Sequence, residues 1–158
     1  QTGERLSVKV LSRADVASAP QYPFISIFSG MAGGLESHQR LDAARILCTE
    51  GHYEDSINRA YYAMYLAALA LLYRKGVEVK THAGLISAIG SESREEGELA
   101  PEHGRALNLI EELREEVDYT ICREIMREEV VSVMSKATDF VMCAEEISTE
   151  DYTNELSS

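Results

Sequence analysis

The sequence predicts an all-α fold, an up-and-down bundle of about five helices. Three observations carry this expectation. From Leu35 onward the apolar residues recur at steps of three and four, the period of one helix face. Gly51 and Gly76 stand where two of these patterns stop, as helix-ending glycines do. The chain has 158 residues, 45% of them hydrophobic and only three of them proline, enough for one ordinary domain and too little for two comfortable cores. No repeat of 20–50 residues is visible.

Taken in order, residues 1–34 form an N-terminal extension, 35–148 the helical domain and 149–158 a polar tail. Within residues 1–30, Leu6, Val8 and Val10 alternate with polar residues, and Tyr22 to Phe28 is aromatic and β-branched. Both stretches suit short strands, with Ser18, Pro20 and Pro23 as loop punctuation between them. Two isolated strands are barely stable alone, so this arm is expected to be disordered or to pack on its own bundle or a neighbour. Gln1 is not an initiator residue and Met31 directly precedes the organised part, so the arm reads as an extension separate from the domain's function.

A first helix is expected over Leu35 to Glu50, with Ala44, Leu47 and Cys48 on one side. A second runs from Tyr53 to Lys75, with Asp55 in its first turn and Arg74 and Lys75 in its last, charges that complement the helix dipole. Ile57, Tyr61, Met64, Ala68 and Leu71 form its main apolar row, widened by Ala60, Ala67 and Leu72. A helix apolar nearly all round is a central one. After a loop from Val77 to Lys80, Thr81 caps a short third helix that ends at Ile89, and residues 90–100 read as loop. Pro101 opens a fourth helix whose inner face is Leu107, Ile110, Leu113 and Val117. The fifth spans Arg123 to Ile147, with Met126, Val130, Val133, Ala137, Val141 and Ala144 as one long stripe and a frayed tail from Ser148.

Composition excludes several function classes. Fifteen Lys and Arg against 27 Asp and Glu give a formal charge of −12. Sequence-blind nucleic-acid binding draws its affinity from many cations, so it is disfavoured, whereas a small basic pocket is not. Cys48, Cys122 and Cys143 are odd in number and form no CxxC pair, which points to buried thiols in a reducing cytoplasm. The histidines offer no HExxH and no inward-facing pair of Glu-x-x-His units, so neither a metal nor another cofactor is expected. The longest greasy stretch, Ala60 to Tyr73, is too short to span a bilayer, and the first residues do not read as a signal peptide.

Four constellations bear chemistry. Arg59 and Tyr62 lie three apart on the second helix and Tyr65 continues their face, a set able to hold a phosphate and stack a base. The structural alternative makes the tyrosines core residues and pairs Arg59 with Asp55. Lys80, Thr81 and His82 precede or open the third helix, as an anion site or as plain capping. Arg114 and Asp118, followed by Tyr119, have the i, i+4 spacing of an intrahelical ion pair. Between Glu92 and Glu129 lie thirteen acidic residues and five arginines, either a solvated face or a surface for a basic partner.

The stretch Tyr53-Glu54-Asp55-Ser56-Ile57-Asn58-Arg59-Ala60-Tyr61-Tyr62-Ala63-Met64, then Lys80-Thr81-His82-x-Gly84, then Leu113-Arg114-x-x-x-Asp118-Tyr119, resembles the successive signatures of small prokaryotic HEPN domains. The name stands for higher eukaryotes and prokaryotes nucleotide-binding. The resemblance spans about residues 35–148 and leaves the first 30 uncovered. It implies a helical bundle that dimerises through the face carrying these motifs, often beside a minimal nucleotidyltransferase with which it forms a toxin–antitoxin complex.

Ribonuclease members of that family carry an arginine, four to six residues and a histidine, for charge stabilisation and proton transfer. This chain departs from the pattern: Tyr119, Thr120 and Ile121 stand at those positions after Arg114, and Met64, Tyr65 and Leu66 after Arg59. Arg45 and His52 meet the spacing but straddle the turn at Gly51. The resemblance therefore implies a catalytically degenerate homodimer whose cleft is lined by Arg59, Tyr62, Lys80, His82, Arg114 and Tyr119. That cleft would bind a nucleotide or short RNA, or dock the nucleotidyltransferase. The alternative is a metal-independent ribonuclease toxin using Arg114 with Asp118, Tyr119 or a displaced histidine such as His82. In a third reading a cleft tyrosine such as Tyr119 accepts a nucleotide from the partner.

Overall fold

In the computed structural model, residues 9–10, 31–94, 97–120 and 123–157 are described. Five helices build them: α1 (Met31–Thr49), α2 (Tyr53–Arg74), α3 (His82–Arg94), α4 (Pro101–Tyr119) and α5 (Arg127–Leu156). Two short strands complete the described set, β1 (Lys9–Val10) and β2 (Val77–Glu78), paired antiparallel with Lys9 opposite Glu78 and Val10 opposite Val77. The all-α bundle of the sequence reading is the observed architecture.

Helix α2 is the central element and packs against each of the other four helices. Its sequence explains why. Ile57, Tyr61, Met64, Ala68 and Leu71 are buried, and so are Ala60, Ala63, Ala67 and Leu72 on the flanks. Alanines on those flanks let neighbouring helices approach closely while the larger residues fill the gaps. Around it, α1 gives Leu41 and Ala44, α3 Leu85 and Ile89, α4 Leu107 and Ile110, and α5 Val130, Ala137, Phe140 and Val141. The two turns flanking α2 use Gly51 at φ +83° and Gly76 at φ +74°, a left-handed backbone that only glycine adopts freely. Ser56 Oγ donates to Ala44 O at 2.7 Å and stitches the start of α2 to α1. At the other end Lys75 Nζ pairs with Glu92 at 3.1 Å and ties α2 to α3.

Several boundaries differ from the sequence reading. Helix α1 starts at Met31 rather than Leu35. The stretch from Val77 to Lys80 is not wholly loop, because Val77–Glu78 pairs with Lys9–Val10. Helix α3 continues past Ile89 to Arg94, where Ser93 is buried and donates to Gly90 O at 3.0 Å. Helix α5 begins four residues later than expected, which leaves Met126 exposed at its N-cap, and extends through Leu156 rather than fraying at Ser148. The hydroxyls of Thr149 and Thr153 bond back to the carbonyls of Glu145 and Thr149, so the polar tail stays helical. The Tyr22 to Phe28 strand reading and Cys122 lie outside the described residues. Cys48 and Cys143 are half-buried free thiols packed against the core.

Candidate functional site

Three elements converge on the hydroxyl and ring of Tyr61. The side chain is fully buried in mid-α2, because the apolar row that makes α2 central includes it. A buried phenol needs a partner for its oxygen. Tyr61 Oη lies 2.8 Å from Nδ1 of His82, the first residue of α3. From α4, the Arg114 guanidinium sits 4.9 Å from the centre of the Tyr61 ring, in cation–π contact. Tyr65, one turn on from Tyr61, stacks on the His82 ring at 4.5 Å between centroids.

Thr81 accounts for the position of His82. Its Oγ1 accepts the Gly84 N–H at 2.9 Å, so it caps α3 as the sequence reading allows. A Cβ on Gly84 would come within 3.0 Å of that oxygen and 3.4 Å of Val79 Cγ1, so a residue without a side chain suits the capped turn. The Thr-His-x-Gly signature is thus a helix start held tightly enough to aim an imidazole at Tyr61.

Arg114 is held from both sides along α4. Its Nε and Nη2 donate to the two carboxylate oxygens of Glu111 at 3.1 and 3.4 Å, a forked pair, and Nη1 donates to Asp118 at 3.2 Å. Glu111 is buried. Burial first, then the Glu111 charge and its acceptance of a hydrogen bond, push the Tyr61 phenol far above its ordinary range; Arg114 acts in the opposite sense. Tyr61 therefore keeps its proton throughout the physiological range. The Tyr65 phenol is also raised, by burial and then by Tyr62. The hydrogen bond to Glu111 is the main reason that Arg114 holds its own proton more tightly than usual.

The remaining expected site residues are spread more loosely. Tyr62 is exposed on the outer side of α2 and meets Tyr61 edge-on at 5.8 Å. Arg59 is exposed one turn before it, and forms no ion pair with Asp55 or any other described residue. Lys80 is exposed two residues before His82. Tyr119 is 85% exposed at the end of α4 and joins no ring contact among the described residues. The structure thus brings His82 and Arg114 together through Tyr61, and leaves Tyr62, Arg59, Lys80 and Tyr119 exposed. Arg45 is engaged elsewhere, with Asp42 at 2.7 Å and Thr138 at 3.4 Å. Among the described residues, no three His, Cys, Asp or Glu side chains are grouped to hold a metal ion.

Sequence reasoning missed the two residues that organise the cluster. Tyr61 reads as core by its period, and it is core; its hydroxyl is what matters. Glu111 is one carboxylate in an acidic run, and only its place three residues before Arg114 marks it.

Comparison with known proteins places this sequence in a family. The HEPN domain family model matches residues 36–147. A Methanocaldococcus jannaschii protein named "Putative toxin" is 36% identical over 105 residues, 66% of this chain and 78% of its own. An Archaeoglobus fulgidus protein named "UPF0332 protein" is 39% identical over 94 residues, 60% of this chain and 74% of its own. A Thermotoga maritima protein of the same name is 31% identical over 107 residues, 68% of this chain and 81% of its own. The residues matched by the family model include all five members of the Tyr61, Tyr65, His82, Glu111 and Arg114 cluster, and the chain belongs to the HEPN domain family.

Proposed function

We propose that this chain is a cytoplasmic HEPN protein of toxin–antitoxin type. In this reading it forms a homodimer that binds a nucleotide or short RNA at the Tyr61 cluster and docks a minimal nucleotidyltransferase. The observation that carries it is the assembly of His82 and Arg114, from α3 and α4, on one buried tyrosine of α2. Exposed Tyr62, Arg59 and Lys80 supply a stacking surface and two cations that pair with no described carboxylate. The toxin name of the Methanocaldococcus jannaschii relative supports the toxin–antitoxin assignment. No helix among the described residues is long and apolar enough to cross a membrane, in keeping with a cytoplasmic protein. Because α4 carries no histidine after Arg114 at the ribonuclease spacing, this reading makes the protein catalytically degenerate.

One observation favours a second reading, metal-independent RNA cleavage: the imidazole missing from α4 is supplied to the same cluster by His82 of α3, 2.8 Å from Tyr61. The test incubates end-labelled RNA with the purified protein, with and without EDTA, beside Arg114→Lys and His82→Ala. Intact RNA in every lane, with binding that weakens at least tenfold in Arg114→Lys, is the outcome expected for the binding module. Cleavage that survives EDTA and disappears in both variants selects the ribonuclease. A monomer at micromolar concentration, unchanged when a nucleotidyltransferase is co-expressed, removes the dimeric docking module.

A further inference from the structure

We propose that Asp118 stands in for a phosphate of a bound RNA strand: its carboxylate holds the open edge of the Arg114 guanidinium and must leave before Arg114 grips RNA. This rests on the reading of the Tyr61 cluster as a nucleotide or RNA site, and it assigns the restraint on that site to one residue.

A guanidinium carries five N–H groups in one plane and grips a carboxylate or phosphate with two parallel hydrogen bonds from one edge. One such edge is Nε with a terminal nitrogen, and the other is the two terminal nitrogens. On Arg114 the first edge is closed, because Nε and Nη2 donate to the two oxygens of Glu111 at 3.1 and 3.4 Å. One face of the plane lies on the Tyr61 ring, 4.9 Å from its centre. The second edge ends at Nη1, where Asp118 Oδ2 accepts a hydrogen bond at 3.2 Å. A phosphate that reaches Arg114 with two bonds therefore meets Asp118.

The two carboxylates hold Arg114 unequally. Glu111 is buried and forked. The Asp118 side chain is 43% exposed and makes one bond, from one turn along the same helix. Exposed ion pairs at i, i+4 shift an equilibrium by only about twofold. A charge-assisted bond to phosphate is among the stronger hydrogen bonds a protein makes. Glu111 therefore stays with Arg114 and Asp118 yields. Its charge remains nearby after it swings aside and repels the incoming phosphate. Lifting the competition and the repulsion together is expected to tighten binding by about threefold to tenfold.

The test titrates a short labelled single-stranded RNA with the full chain across a fourfold range of salt. Asp118→Asn removes the charge and keeps the shape, and Asp118→Ala shows whether the new amide contributes by itself. Glu115 is an exposed carboxylate on the same helix that forms no ion pair among the described residues. Glu115→Gln therefore measures what any one charge of this acidic protein is worth to RNA. Both Asp118 variants are expected to bind about threefold to tenfold more tightly than wild type, and Glu115→Gln by less than about twofold. In wild type a phosphate only exchanges with Asp118 on Arg114, whereas in the variants it adds a contact. The logarithmic salt slope of the Asp118 variants is therefore expected to steepen by about 0.7.

A gain no larger than that of Glu115→Gln, or a gain with an unchanged slope, overturns the proposal while the RNA site stands. A gain in Asp118→Asn alone belongs to the new amide and overturns it too. Weaker binding in both variants overturns it and makes Asp118 a support for Arg114. If neither wild type nor the variants bind the RNA, the RNA site and the proposal fall together.

Discussion

The Glu111–Arg114 pair is the contact on which any experiment at this site turns, because it is structural before it is functional. Glu111 is nearly buried, with 11% of its side chain exposed, and Arg114 is at 21%. Arg114→Ala would leave that carboxylate without its counter-ion and beside the Tyr61 hydroxyl. Fully buried pairs cost several kcal/mol when one member is removed; with a fifth of Arg114 still in solvent, about 1–3 kcal/mol is expected. Glu111→Ala with Arg114→Ala should cost less than the two single changes together, by about 1 kcal/mol or more, because the stranded charge is gone. Urea unfolding of the four proteins measures this, and strict additivity would mean that the pair contributes nothing. Sequence shows Arg114 readily and Glu111 hardly at all. Thirteen acidic residues between Glu92 and Glu129 look alike as letters, and burial, which separates one from the others, is a tertiary property.

At the scale of elements, the strongest sequence signals are those in which several local preferences agree. Helix α2 has its charges, its two bordering glycines and its apolar period all pointing one way, and its bounds fall within a residue of expectation. Where only composition speaks, the reading stops short. Ser91 and Ser93 read as loop, yet α3 carries them to Arg94 because Ser93 is buried where α4 comes close, so close that a Cβ on Gly104 would overlap its hydroxyl. The start of α5 yields a pH prediction. Glu129 accepts the Met126 N–H at 3.0 Å and pairs with Arg123 at 2.7 Å, reciprocal capping by the third helical residue. That backbone bond first holds the Glu129 carboxyl below the ordinary range, against the opposing effect of burial and with Arg123 beside it acting in the same sense as the bond. A carboxyl lowered on folding stabilises the protein above its unfolded pKa and loses that contribution as pH falls through the folded one. Glu129→Gln keeps an oxygen acceptor and removes the charge, so it should cost about 0.3–1 kcal/mol at neutral pH, the small value proper to an exposed group. Urea midpoints should converge with wild type as pH falls through the lowered Glu129 pKa. A difference that persists there would assign the cost to geometry rather than charge.

For the whole molecule, the formal charge of −12 sets how any RNA is met. The family and the bundle were legible in the order and spacing of three motifs, and so was the acidic balance. The junction of His82 with Arg114 was not, because it depends on which way α3 and α4 present their faces to Tyr61. That junction concentrates few cations: Arg59 and Lys80 are exposed without a described partner, and Arg114 is already held by two carboxylates. Single-stranded nucleic acid releases counter-ions in proportion to the phosphates neutralised, with a logarithmic salt slope of about −0.7 for each. Two or three contacts therefore predict a slope between about −1.4 and −2, far shallower than that of a basic nucleic-acid binder. Lys80→Ala should reduce the magnitude of the slope by about 0.7 and weaken RNA and DNA alike, because a phosphate contact does not read the sugar. Titrations of labelled RNA across a fourfold range of salt decide it. A slope steeper than about −4 would require a basic surface beyond this site. Residues 1–30, with Arg5, Lys9 and Arg13 against Glu4 and Asp15, would then be the first place to look, and removing them should restore the shallow slope.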